Sequence, residues 1–173
     1  MNPFGKYIFT VLSVVIFSST ATADQDRENE NSELMGTVAN KAYIKECGAC
    51  HFAYQPRFLP KRSWEKIMNT LDSHFGDSAT LDDATRTEIL TYLVKNSADS
   101  SSSRSSRKML ASLGKTDTPL RISDTPYFKR KHREVRPNVF KRKSIGSPAN
   151  CPGCHLTAEQ GDYDEHKVKI PKN

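Results

Sequence analysis

Apolar residues are in short supply. Hydrophobic side chains make up only 36% of this 173-residue chain, and its mean hydropathy is −0.65. That is thin material for two protein-only cores. Long apolar runs are scarce as well. The run from Tyr7 to Phe17 is too short and wrongly flanked for a bilayer span, and no other segment approaches the ~18 consecutive apolar residues that one needs. No repeat of 20 to 50 residues is present, as a solenoid or propeller would need. Cysteine is limited to four residues, and their placement decides the reading.

All four cysteines lie in two copies of one pattern, Cys47-Gly48-Ala49-Cys50-His51 and Cys151-Pro152-Gly153-Cys154-His155. Cys-x-x-Cys-His is the attachment signature of c-type haem. Its two thiols add to the haem vinyl groups, and the His that follows is placed to become the proximal iron ligand. Two Cys-x-x-Cys pairs could instead hold a structural zinc, but Cys50 and Cys151 are far more widely spaced than a compact zinc ribbon needs. Four cysteines could also form two disulfides. Neither alternative explains why His follows the second Cys both times. The pattern therefore implies two covalently bound haems c on Cys47, Cys50, Cys151 and Cys154, with His51 and His155 as iron ligands. Two buried haems would supply much of the missing apolar surface, so the haem-free chain is expected to fold poorly.

Residues 1–23 read as a signal peptide. Lys6 provides the positive n-region, Tyr7 to Phe17 the apolar run, and Ala21-Thr22-Ala23 the small-residue cleavage site. Export beside c-type haem motifs implies a periplasmic location. Residues 24–33 form an acidic leader without apolar periodicity, expected to be disordered.

The remainder predicts a mainly α fold. A small helical N-terminal haem domain is expected over 34–95, and a C-terminal haem-binding region with little regular structure over 109–173. A helix is expected from Leu34 to Glu46, with Leu34, Val38 and Ala42 on one stripe. After a loop carrying Pro56 and Pro60, a second helix is expected from an N-cap at Ser63 through Phe75, ended by Gly76. Its stripe is Trp64, Ile67, Met68, Leu71 and Phe75. A third runs from Asp82 or Thr85 to Lys95, with acidic residues at its positive end. Residues 96–108 are rich in serine and predict a flexible linker and domain boundary. Beyond it, Pro119, Pro126, Pro137, Pro148 and Pro152 punctuate the chain, and only a short helix around Thr125 to Glu134 fits.

The second axial position of each iron separates a carrier from an enzyme or gas binder. His74, His132 and His166 are available, with Met35, Met68 and Met109 as soft competitors. His74, three residues after Leu71 and seven after Ile67, shares the apolar face of the second predicted helix. A core-facing imidazole needs a partner, which iron would provide, although a hydrogen-bonded core His is the alternative. Met68 lies on the same helix. His132, in a run of cations, is not separable from a surface residue by composition; His166, near the C-terminus, reads as solvated and is the reserve ligand should His132 fail.

The segment Cys47-Gly-Ala-Cys-His-Phe-Ala-Tyr-Gln-Pro-Arg-Phe-Leu-Pro-Lys-Arg-Ser-Trp64 closely resembles the dihaem cytochrome c family of bacterial periplasmic electron carriers. So do His74-Phe75-Gly76 and Arg121-Ile-Ser-Asp-Thr-Pro-Tyr-Phe-Lys-Arg-Lys-His-Arg133. The resemblance covers about residues 40–160. It implies bis-histidine ligation by His51 and His74 on one haem and by His155 and His132 on the other. It also implies an N-terminal domain like a small helical cytochrome c, a C-terminal region poor in regular structure, and single-electron transfer rather than catalysis. A membrane quinol-oxidising b-type cytochrome would be the donor, and a small high-spin c-type haem protein the acceptor. A dihaem peroxidase-type enzyme, or a gas sensor with a labile ligand, would instead need an open iron position.

Charge is segregated. Residues 104–143 hold thirteen Lys and Arg against three Asp and Glu, a net +10. No nucleic-acid recognition motif accompanies them. A solvated face balancing the propionates is the plain reading. The sharper one is a surface that steers an acidic redox protein, or an anionic membrane surface, toward the second haem.

Overall fold

The structure, a computed structural model, describes residues 35–172. The expected signal peptide and acidic leader lie outside them. Six α-helices and seven short 3-10 turns are linked without any strand among the described residues. No helix among these residues is long and apolar enough to cross a membrane.

The first helix, α1 (Lys41–Cys47), starts where Asn40 accepts a hydrogen bond from the Tyr43 amide at 2.7 Å, satisfying one of the free donors of a helix start. It is shorter than the expected 34–46. Gly36 adopts a left-handed backbone at φ 79°, and the Met35 amide donates to Gly161 at 2.7 Å, so the chain ahead of Asn40 is spent on a tertiary contact. Gly48 ends α1. A Cβ there would lie 2.2 Å from the Ile44 carbonyl oxygen, so only glycine lets the first Cys-x-x-Cys loop close this tightly.

The second helix, α2 (Lys61–Met68), also differs from expectation. Pro60, not Ser63, stands at its N-cap, and the helix ends at Asn69 rather than continuing to Phe75. The Thr70 hydroxyl donates back to the Lys66 carbonyl at 2.9 Å, a side-chain bond that competes with helix continuation. A 3-10 turn at Leu71–Ser73 follows. The third helix, α3 (Asp83–Lys95), matches its expectation, with Asp82 accepting from the Thr85 amide at 3.0 Å. Helices α1, α2 and α3 enclose a core of Tyr43, Leu59, Trp64, Met68, Leu71, Ile89 and Leu93.

The serine-rich stretch expected as a flexible linker is folded. It forms a 3-10 turn at Ala98–Ser100 and then α4 (Arg104–Ala111). Ser97, Ala98 and Ser106 are fully buried, and the Ala98 amide donates to Leu59 at 3.1 Å. Small side chains here allow close packing, and Ser103 caps α4 by accepting from the Ser106 amide. Composition suggested solvation; tertiary packing overrides it. Two short helices follow, α5 (Pro126–Lys131) and α6 (Pro137–Phe140), each with proline in its first turn. Thr125 caps α5, which falls slightly short of the expected 125–134. The rest is turns, as expected of this region.

Gly161 packs back against Met35 and Gly36, the first of the described residues. At φ 72°, its added Cβ would sit 2.4 Å from the Gly36 carbonyl oxygen. Gly146 has a similar φ of 82° but open space around it. Gly146→Ala therefore tests backbone strain alone, and Gly161→Ala tests strain plus a backbone clash. Gly161→Ala is expected to cost about 1–3 kcal/mol more than Gly146→Ala, read as a lower urea midpoint at unchanged m-value. Equal losses would show that the close approach contributes nothing.

Candidate haem sites

Two cavities lie along the molecule, each carrying one Cys-x-x-Cys-His motif on its wall. The first, about 410 Å³, is lined by Cys47, Cys50, His51 and His74 together with core residues such as Trp64 and Met68. The second, about 210 Å³, is lined by Cys151, Cys154, His132 and His155 with Phe58, Phe140, Tyr163 and Ile170. All four cysteines are free thiols. Among the described residues no three His, Cys, Asp or Glu side chains converge on a point where they could hold an ion by themselves, so the four thiols do not form one zinc site.

In each cavity two imidazoles face each other. The ring centroids of His51 and His74 are 6.1 Å apart, and those of His132 and His155 are also 6.1 Å apart. Metal–imidazole bonds are about 2 Å long, so rings on opposite sides of one metal ion have their centroids about 6 Å apart. Both pairs match that span. The planes meet at 22° in the first pair and 77° in the second; rotation about a metal–nitrogen bond changes this angle without changing the separation. With vinyl-reactive thiols beside each pair and apolar walls around it, the residues present fit a c-type haem in each cavity.

Local structure aims these rings. His74 does not sit on α2, as the sequence pattern implied. It begins a tight turn in which its amide donates to Asp77 at 2.8 Å and its carbonyl accepts from the Asp77 amide at 3.2 Å. The two central residues both have positive φ, Phe75 at 57° and Gly76 at 106°, the pairing required by two-residue type I′ turns. A non-glycine residue in this region costs of order 1 kcal/mol. Phe75 is held there with the Arg121 guanidinium over its ring at 3.9 Å and the His74 ring at its edge. His74 thus reaches the cavity by a strained turn rather than by helical register.

His132 follows the last residue of α5. Its Nδ1 lies 2.9 Å from the Phe128 carbonyl oxygen, and Nδ1 of His51 lies 2.9 Å from that of Phe52. A carbonyl can only accept, so Nδ1 carries the proton in both rings and leaves the Nε2 lone pair for a metal. The Phe128 ring stacks on His132 at 3.9 Å and 20°, fixing its tilt. His166, the reserve ligand, is exposed on the turn Glu165–Lys167 and lines neither cavity. Met68 and Met35 line the first and second cavities respectively, and Met109 lines neither.

Burial dominates the electrostatics. It lowers the pKa of His74, with further repulsion from His51 and Arg121, and lowers that of His132 against the opposing Phe128 carbonyl. It lowers His155 too, where His132 adds and Asp162 opposes. Cys47 is pushed up to about 11 by burial, Glu46 adding, and Cys151 to about 11 by burial first. Burial thus favours the neutral form of His74, His132 and His155 and the protonated form of Cys47 and Cys151.

Several residues here were not singled out from the sequence. Gln55 is buried, donating to the Ala158 carbonyl at 2.6 Å and accepting from the Tyr163 hydroxyl at 2.6 Å. Tyr54 donates to Ala149 at 2.9 Å. These bonds tie the first motif's loop to the second motif's surroundings. Ile122, Phe128, Pro148 and Cys151 line both cavities, so the two sites share a wall.

A family model described as "Dihaem cytochrome c" matches residues 43–163. Among solved structures, a diheme cytochrome c from Rhodobacter sphaeroides is 45% identical, with a TM-score of 0.67, over 76% of this chain and 100% of that one. One from Shewanella baltica OS155 is 34% identical, with a TM-score of 0.62, over 76% of this chain and 93% of that one. No curated protein matches the chain.

The lowered imidazole values set a pH dependence. The unfolded chain takes up these protons first as pH falls, so the stability held in neutral His74, His132 and His155 is complete above about 6.5 and is lost below it. Ligation by neutral imidazole acts in the same direction. The urea midpoint of the haem-loaded protein is expected to be level above neutrality and to drop on acidification to about pH 5. A midpoint that rises over that interval would contradict the assignment.

Proposed function

The chain belongs to the dihaem cytochrome c family, and from that premise we propose that it is a periplasmic carrier that passes single electrons between redox proteins through two bis-histidine haems. The family implies two c-type haems, and the four cysteines are present for their covalent attachment. We assign Cys47 and Cys50 to the first haem and Cys151 and Cys154 to the second. His51 and His74 are the proposed ligands of the first iron, His155 and His132 those of the second. The carrying observation is the facing imidazole pair found in each cavity at 6.1 Å.

When bound, each haem supplies a one-electron iron couple. The protein's part is to hold that couple with little rearrangement. Two imidazoles per iron leave no position for peroxide or a gas, which favours a carrier over the peroxidase and sensor readings. With His51 and His74, or His155 and His132, holding it, a bound haem iron would have a potential below that of a Met/His site. The Nδ1 bonds to Phe52 and Phe128 fix ring tautomer and direction. The apolar walls keep water away and lower the local dielectric. The shared wall of Ile122, Phe128, Pro148 and Cys151 brings the two sites side by side, which suits passage from one to the other.

The location rests on the N-terminal export pattern of residues 1–23. The donor and acceptor proposed from family resemblance are a membrane b-type cytochrome and a small high-spin c-type haem protein.

Visible spectroscopy with carbon monoxide tests the ligand set. The wild-type protein should be low-spin and indifferent to carbon monoxide. His74→Ala and His132→Ala should each open one iron, giving a high-spin, carbon monoxide-reactive fraction near half of the haem, whereas His166→Ala should leave the spectrum unchanged. A wild-type protein that binds carbon monoxide would favour the enzyme or sensor reading. Mass spectrometry of protein matured in a periplasm should separately give the chain from Asp24 plus two covalent haems; retention of residues 1–23 would refute the cleavage site.

A further inference from the structure

The basic residues of 104–143 do not spread evenly over the surface. Lys108 on α4 meets Arg130 and Lys131 on α5, with Arg133 just beyond, around a groove of about 470 Å³ that also takes in Tyr127, Glu134 and Glu165. The Arg130 guanidinium lies over the Tyr127 ring at 5.3 Å, which limits the freedom that docking would otherwise remove. Tyr127, Lys131 and Glu165 belong to the wall of the second haem cavity as well. Helix α5 is thus a thin partition: Arg130 faces the groove, while Phe128 and the following His132 face the cavity.

We infer that this groove is the docking surface for an acidic redox protein, and that the second haem, rather than the first, exchanges electrons with it. The inference rests on the electron-transfer reading above. Residues 35–103, which carry the first motif, hold eight basic and eight acidic side chains, so that half offers no net attraction. A protein fits better than an anionic membrane. The surface is concave, its lining includes the carboxylates of Glu165 and of Glu134, the latter 3.6 Å from Arg133 within the groove, and among the described residues none of the exposed large apolar side chains (Ile44, Phe75, Leu156 and Ile170) lines it. Steering of this kind raises association rate more than affinity.

A reduced plant-type [2Fe–2S] ferredoxin is a suitable acidic probe. Its low potential, about −400 mV, lets each cluster give one electron to a ferric haem iron, with no atom transferred. Stopped-flow reduction of the full dihaem protein is expected to slow several-fold between about 10 mM and about 150 mM ionic strength, as the Debye length falls from about 30 to about 8 Å. Reversing Lys108, Arg130 and Arg133 to Glu should slow the low-salt reaction and flatten the salt dependence. Reversing Lys41, Lys66 and Lys95, exposed on α1, α2 and α3, makes the same change in net charge and should do neither. A salt-independent wild-type rate, or equal effects of the two triple variants, would overturn the groove assignment. So would flat ferredoxin kinetics together with groove-dependent sedimentation on phosphatidylglycerol vesicles, which would give the surface to a membrane. Dithionite provides the separating control: if it fails to reduce both haems in the wild type, the carrier reading itself fails, whatever the groove does.

Discussion

The molecule depends on keeping two imidazoles about 6 Å apart, twice, in a chain with little apolar material to spare. A ring turned into an apolar cavity needs a partner for its lone pair, and an uncharged one is needed for ligation. The fold meets both needs by using the same large side chains for core and for cavity walls. Trp64, Met68, Leu71 and Leu93 belong at once to the core and to the first cavity. In the second half Phe58, Phe140, Tyr163 and Ile170 serve the cavity. Folding and cofactor capture therefore draw on the same contacts, and metal-linked stability follows from that overlap.

Backbone hydrogen bonding does the positioning that regular structure cannot. After Phe140 the described chain has only 3-10 turns, yet the second motif is fixed. Asn150 accepts from the Gly153 amide at 3.2 Å and donates to the Ile145 carbonyl at 2.9 Å. The Lys169 amide then closes on the Cys154 carbonyl at 2.9 Å. Gln55 adds the tie between halves. Its amide group is nearly inaccessible to water, and losing either partner would leave a buried polar atom unsatisfied, at about 1–3 kcal/mol.

Much of the site was legible because the chemistry of thioether attachment demands a fixed local spacing, and both Cys-x-x-Cys-His motifs declare it outright. The third predicted helix held because Asp82 is a strong cap before a periodic run. That His74 faces the first cavity was legible, but not how it gets there: the pattern of Leu71 and Ile67 implies a continuous helix, whereas Asn69, Thr70 and the positive-φ pair Phe75–Gly76 turn the chain. The serine stretch misled for the opposite reason. Serine is common in tethers, but it is also small enough to be fully buried beneath a helix, and which role it has depends on neighbours such as Leu59, about 40 residues away. Gln55 and Tyr163 lie more than 100 residues apart, and nothing local announces that they meet.

The common wall formed by Ile122, Phe128, Pro148 and Cys151 bears on how such a chain can evolve. A boundary near the serine stretch suggests two modules that could be duplicated, exchanged or cut apart. The first cavity, however, takes part of its lining from Leu120 through Cys151, all beyond that boundary. Truncation there would strip one side from the first site while leaving its motif and both its histidines in place. The two haem sites are consequently one unit of inheritance: a change that repacks either one alters the shape of the other, and recombination within the chain breaks both.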